Sequence, residues 1–256
     1  MTHGLYVNQQ FSETQTKILE ETASESKYFE NWLTDDEFNI LRNISLNISE
    51  YPEIGKVSKY WGFGFADEPA KNISPWLLPK LKKTLGPHKI AFMAFQEAIN
   101  PWRIHADIRW DEKEVPYKVL LIPLDVEPTS GPTPIHDWID TFTITFNQRN
   151  FMRSLPKSDG KISKPNTGQS HWARSCDDPS VEQLLPGFHI SQEIHEKYFT
   201  HIPYEYLEGL TIDKINKWVP QSMMYWDNTA LHCADDFLSH GIKTKRCFMI
   251  FTYYKM

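Results

Sequence analysis

The sequence predicts a mainly β protein, an antiparallel sandwich or barrel with flanking helices, and three observations carry that reading. Segments 88–98 and 141–146 alternate in character, with Ile90, Phe92, Ala94 and Gln96 on one side of the first and Phe142, Ile144 and Phe146 on one side of the second. That is the period-two signature of a strand. Segment 117–124 is a continuous apolar run, as expected of a strand covered on both faces. No helical crossover separates these three, which disfavours a parallel, doubly wound sheet.

Taken in order, residues 1–87 read as a helical N-terminal part. Thr34-Asp35-Asp36-Glu37 has the form of a capping box, with Phe38, Leu41 and Ile44 following at helical spacing. A second helix is expected over 74–81, with Pro75 near its start and Gly86-Pro87 as its stop. Its Lys80, together with Lys82 and Lys83, reads as a solvated face. Segments 88–146 and 222–256 supply the barrel strands, the later ones at 222–226 and 246–254. Residues 147–221 read as an insertion covering the site, loop-rich around Pro156 to Gly168 and helical near 190–199. The whole chain, 1–256, is expected to be a single domain.

Composition narrows the function. With 40% hydrophobic residues, including nine Trp, eleven Tyr and fifteen Phe, 256 residues can bury a large core. The formal charge is −6 and the basic residues are scattered, which argues against a nucleic-acid partner. Cys176, Cys233 and Cys247 are odd in number and form no CxxC pair, so a disulfide framework is not expected and a reducing, cytoplasmic setting is. The N-terminus has no charged region leading into an apolar one, and no apolar run approaches the length of a membrane span, so no membrane association is expected.

Two distant segments carry the chemistry. Ile104-His105-Ala106-Asp107 follows a predicted strand, and Trp226-Asp227-Asn228-Thr229-Ala230-Leu231-His232 follows another, with Arg246 fourteen residues beyond His232. In extended backbone, residues i and i+2 project to one side, so His105 and Asp107 can close on one ion. With His232 they offer two imidazoles and one carboxylate, the set that holds non-haem Fe(II) on one face and leaves positions open. A guanidinium on a sheet needs an acid; for Arg246 that acid is either a dicarboxylic ligand or a native residue such as Asp235 or Asp236. Gln96, on the Ile90, Phe92, Ala94 face, is a buried polar group that needs a partner. His136-Asp137, also before a strand, is an alternative source of a ligand.

The order of strand, H-x-D, further strands, W-D-x-x-x-L-H and an Arg opening a last aromatic strand resembles the 2-oxoglutarate- and Fe(II)-dependent oxygenase superfamily, over residues 88–125 and 222–254. The resemblance implies a double-stranded β-helix (jelly-roll, cupin-like) core. It implies His105, Asp107 and His232 as iron ligands and catalytic centre, Arg246 as the contact to the distal carboxylate of 2-oxoglutarate, and Gln96 as a further cosubstrate contact. It also implies a dioxygenase that consumes O2 and 2-oxoglutarate, releases succinate and CO2, usually hydroxylates, and, because Asp107 is present, favours hydroxylation, desaturation or another oxidation over halogenation. Arg103, Arg109, Arg149, Arg153 and Arg174 are either ordinary surface charges or partners for a small-molecule substrate bearing a carboxylate, such as a free amino acid. Trp102, Trp110, Trp138 and Trp172 would line an apolar site or complete the core. Two alternatives remain open: a cupin-like metalloenzyme without 2-oxoglutarate, and a non-catalytic β-barrel that binds a small ligand.

Overall fold

A computed structural model describes residues 12–107, 114–129, 141–149, 188–207 and 210–255. The alternating segments of the sequence become the long strands β4 (His88–Ala98), β5 (Pro116–Pro128) and β6 (Phe142–Arg149). Later come β8 (Thr211–Lys217), β9 (Met223–Asp227), β10 (Ala230–Ala234) and β11 (Ile242–Tyr254). The minor strands are β1 (Lys27–Phe29), β2 (Glu53–Ile54), β3 (Ser58–Phe63) and β7 (Phe188–His189). A seven-stranded sheet runs β1-β9-β5-β11-β4-β3-β2 and a four-stranded sheet runs β10-β6-β8-β7, with every pairing antiparallel. Because the chain passes between the sheets on going from β5 to β6, β8 to β9, β9 to β10 and β10 to β11, the two sheets face each other as a double-stranded β-helix.

The outer face of the large sheet is covered by helices. α2 (Asp35–Leu46) starts at the expected capping box, Thr34 accepting from the Glu37 backbone and Glu37 reaching back to Thr34. α3 (Glu68–Leu85) is longer than the expected 74–81 and continues through Pro75 and Pro79. Its stripe of Ala70, Ile73, Leu77, Leu81 and Leu85, buried at helical spacing, outweighs the backbone bonds lost to the prolines. Gly86, at φ 72°, ends it as expected. Lys80 is not a solvated residue: it pairs with Glu37 and donates to the Trp32 carbonyl, pinning α3 to α2. Phe63, Phe95 and Phe248 stack beneath these helices, with ring centroids 5.0–5.9 Å apart.

The outer face of the small sheet has its own core. Ile144, Phe146, Leu231 and Cys233 pack against Ile190, Phe199, Ile202, Leu207 and Leu210, from the segment that includes α4 (Gln192–Tyr198). Two segments differ from the sequence expectation. Residues 211–217, read as part of the insertion, form β8 inside the small sheet; Thr-Ile-Asp-Lys-Ile-Asn-Lys is too polar to register as a buried strand. His232 lies within a strand of its own, because the chain turns at Asn228-Thr229. The N-terminal arm, led by α1 (Glu13–Thr22), is fastened at Asp227, which accepts from the Ser24 backbone at 3.0 Å and pairs with Lys118 and Arg149. Among the described residues, no helix is long and apolar enough to cross a membrane.

Candidate metal centre

The H-x-D segment is held by backbone pairing before any side chain takes part. His105 and His232 exchange both of their backbone hydrogen bonds, at 3.0 and 2.9 Å, as an isolated antiparallel bridge. The Trp102 carbonyl accepts from Ala234 at 3.1 Å, so the segment lies along the free edge of β10. Alternation then sorts the side chains. Ile104, Leu231 and Cys233 point outward into the small-sheet core, which turns His105, Asp107 and His232 inward.

Their ligand atoms all lie within 4.8 Å of one another. Asp107 Oδ2 is 3.1 Å from His232 Nε2, and Asp107 Oδ1 is 3.6 Å from His105 Nε2. Both imidazole Nδ1 atoms face backbone carbonyls, that of Arg103 at 2.7 Å and that of Ala230 at 3.1 Å. A carbonyl only accepts, so each Nδ1 carries the proton, and each Nε2 of a neutral ring presents a lone pair to the carboxylate. Burial pushes the His232 imidazole below its ordinary value, against the pull of Asp107, and so favours the neutral ring. Burial opposes ionisation of Asp107, and the positive charge and N–H of a protonated His232 or His105 would outweigh it and hold the carboxyl low, a role that falls to a metal cation when both rings are neutral. Asp107 Oδ2 is buried without a hydrogen-bond donor. Three lone-pair donors converging with no proton between them is unfavourable unless a cation sits there, and the carbonyl contacts of the two Nδ1 atoms are the outer support typical of metal-bound histidines. The residues fit a metal ion.

The surroundings differ by direction. An indole lies against each imidazole, Trp102 stacked on His105 with ring centroids 4.8 Å apart and Trp226 tilted against His232 at 4.7 Å. On the large sheet, Cys247 donates to Gln96 Oε1 at 3.4 Å, and Gln96 Nε2 donates to the Tyr60 hydroxyl at 2.9 Å. Gln96 is therefore buried on the face of β4 that looks toward the small sheet. Burial, the largest influence, pushes the Cys247 thiol well up, and the Asp107 charge adds to it.

Arg246 lies on the other face. It follows the alternation of Phe248 and Ile250 toward the helices, where Nη2 pairs with Glu97 at 2.7 Å and Nη1 donates to the Ser45 carbonyl of α2 at 3.3 Å. The native acid that satisfies the guanidinium is thus Glu97, neither Asp235 nor Asp236. The inward cation of β11 is its neighbour Lys245, 1% exposed, which donates to Asp235 at 3.1 Å and to the Phe142 carbonyl at 3.3 Å and lies 4.0 Å from the Trp218 ring centroid. Sequence reasoning missed Lys245, offered Asp235 only as a partner for Arg246, and quoted Trp226 without giving it a role. The signal for Lys245 was the period-two geometry of any strand, counted back from Cys247. Of the arginines considered for substrate binding, Arg149 is committed to Asp227 and Arg103 is exposed; Arg109, Arg153 and Arg174 lie outside the described residues, as do His136 and Asp137.

No family model and no curated protein matches the sequence. Solved structures do match. The non-heme, α-ketoglutarate-dependent carbocyclase SnoK from nogalamycin biosynthesis is 10% identical, with 98% of this chain and 87% of that chain covered and a TM-score of 0.52. The epimerase SnoN, in complex with Fe3+, α-ketoglutarate and a nogalamycin, is 12% identical, with 95% and 85% covered and a TM-score of 0.50. The chain therefore shares the fold of these two proteins, a double-stranded β-helix.

Proposed function

We propose that the protein is a non-haem Fe(II)- and 2-oxoglutarate-dependent dioxygenase that hydroxylates a small-molecule or amino-acid-like substrate and releases succinate and CO2. The observation that carries this reading is the convergence of His105, Asp107 and His232, whose ligand atoms all lie within 4.8 Å of one another. SnoK and SnoN share the fold and are described as α-ketoglutarate-dependent enzymes, which supports the choice of cosubstrate. His105, Asp107 and His232 would hold the iron, which when bound supplies the activation of O2 for oxidation of the substrate.

The remaining roles fall to this chain's own groups. The Nδ1–H bonds to Arg103 and Ala230 keep both imidazoles turned with Nε2 inward. Lys245 meets the distal carboxylate of 2-oxoglutarate in place of Arg246, because it is the β11 cation that projects between the sheets. Burial lowers the Lys245 ammonium from its ordinary value, and Asp235 opposes that shift when no cosubstrate is present. Gln96, oriented by Tyr60 and Cys247, is a further cosubstrate contact. The side chains of His105, Asp107 and His232 are 19, 13 and 5% exposed, so substrate enters on the His105 side while the His232 side is closed to water.

One observation favours a second reading. All three β11 cations already have native acids, Lys243 with Glu127, Lys245 with Asp235 and Arg246 with Glu97, which is compatible with a cupin-like metalloenzyme that needs no oxoacid. Anaerobic Fe(II) titration with and without 2-oxoglutarate separates the two. A weak visible charge-transfer band that requires both components supports the dioxygenase. Iron binding without the band supports the cupin-like enzyme, and no iron binding supports a ligand-binding barrel.

A further inference from the structure

Trp226 belongs to the W-D-x-x-x-L-H segment, yet the metal and cosubstrate roles above leave it unused. It lies on β9 opposite Val119 of β5, and its ring rests against His232. Since His232 belongs to the small sheet and Trp226 to the large one, both side chains point into the space between the sheets. Trp226 is 1% exposed, and its Nε1–H is buried without an acceptor among the described residues.

An indole nitrogen is a donor only, and a buried donor without an acceptor carries a desolvation cost that a neutral packing role does not explain. Phenylalanine would supply the same stacking without that cost. The other buried tryptophan of the interior, Trp218, does have its acceptor, the Thr143 hydroxyl at 3.0 Å. Trp102, whose ring stacks on the other imidazole of the centre, likewise has a buried Nε1 without an acceptor, so among the described residues the indoles that lie against His105 and His232 both lack one.

We infer that the Trp226 indole N–H binds an oxygen atom of an anionic ligand held on the metal, the iron-chelating carboxylate end of an oxoacid. This rests on the reading above. Donation from a neutral, buried group to a carboxylate withdraws charge from the ligand without adding a proton that could titrate, so the contact would be insensitive to pH across the neutral range.

The test uses full-length protein loaded with redox-inert Mn(II), with 2-oxoglutarate as the probe. Trp226→Phe keeps a ring against His232 and removes the donor. The expected result is a Kd for 2-oxoglutarate raised by about tenfold, with Mn(II) affinity changed by no more than about twofold, and, with Fe(II) under anaerobic conditions, a shifted charge-transfer maximum. Equal 2-oxoglutarate affinity in the two proteins would overturn the inference and leave the dioxygenase reading intact. Failure of wild-type protein to bind 2-oxoglutarate would remove that reading and this inference together. Should the variant fold poorly, indole N–H resonances of wild-type protein serve instead: one that Mn(II) broadens must move downfield when 2-oxoglutarate is added to the Zn(II) form, and no movement overturns the inference.

Discussion

The two faces of β11 carry opposite chemistry within a few residues of each other. Outward, Arg246, Phe248 and Ile250 meet helices α2 and α3, and the one charge is settled by Glu97 and a backbone carbonyl. Inward, Lys245 and Cys247 face the interior, where a buried ammonium meets Asp235 and a thiol meets Gln96. The outward face is a helix-packed core with a charged rim, and there too Arg42 Nε and Ser45 Oγ of the covering α2 lack partners among the described residues. On the inner side several polar atoms remain unmatched, among them Asp107 Oδ2 and Trp226 Nε1. Such groups are costly in a protein that binds nothing. The difference teaches that a cation at a given strand end is assigned by its face rather than by its distance from the histidine.

The comparison can be broken most sharply at the ligands themselves. Asp107→Ala or His232→Ala should abolish stoichiometric Fe(II) binding and turnover; retention of either in both variants would refute the centre. Next in size, Lys245→Met should raise the Kd for 2-oxoglutarate about 10- to 100-fold, whereas Arg246→Met should change it by less than about twofold. Calorimetric titration of the Mn(II) forms checks this, and the reverse order would restore Arg246 as the anchor. Arg246→Met should instead cost stability, about 1–3 kcal/mol by urea denaturation, because Glu97 is left nearly buried with Lys59 alone.

The smallest expected effect concerns pH. His201, behind Trp102, donates through Nε2 to its carbonyl at 3.3 Å, and burial holds its imidazole below the ordinary value against the pull of Asp236. The unfolded chain therefore takes up this proton first, so stability falls as pH drops below about 6.5 toward the lower folded value. His201→Gln should flatten that slope between pH 7.5 and 5.5, and an unchanged slope would show that the ring is not buried neutral.

Much of this was legible in the residues because it rests on local rules. Period-two alternation marked β4 and β6, a continuous apolar run marked β5, and Thr34 with Glu37 marked the start of α2. The i, i+2 spacing of His105 and Asp107 required only extended backbone to bring both ligands to one side. What the residues did not reveal depended on partners far along the chain. β8 is too polar to announce itself and is a strand only because β6 offers it an edge. α3 runs through two prolines because its apolar stripe has a sheet to cover. His232 reaches His105 through a bridge that spans more than a hundred residues. The alternating code of β11 was present in the sequence, but which phase faced the helices was decided only when the large sheet packed against α2 and α3. A strand's period is fixed by backbone geometry, whereas its phase is fixed by what each face is packed against.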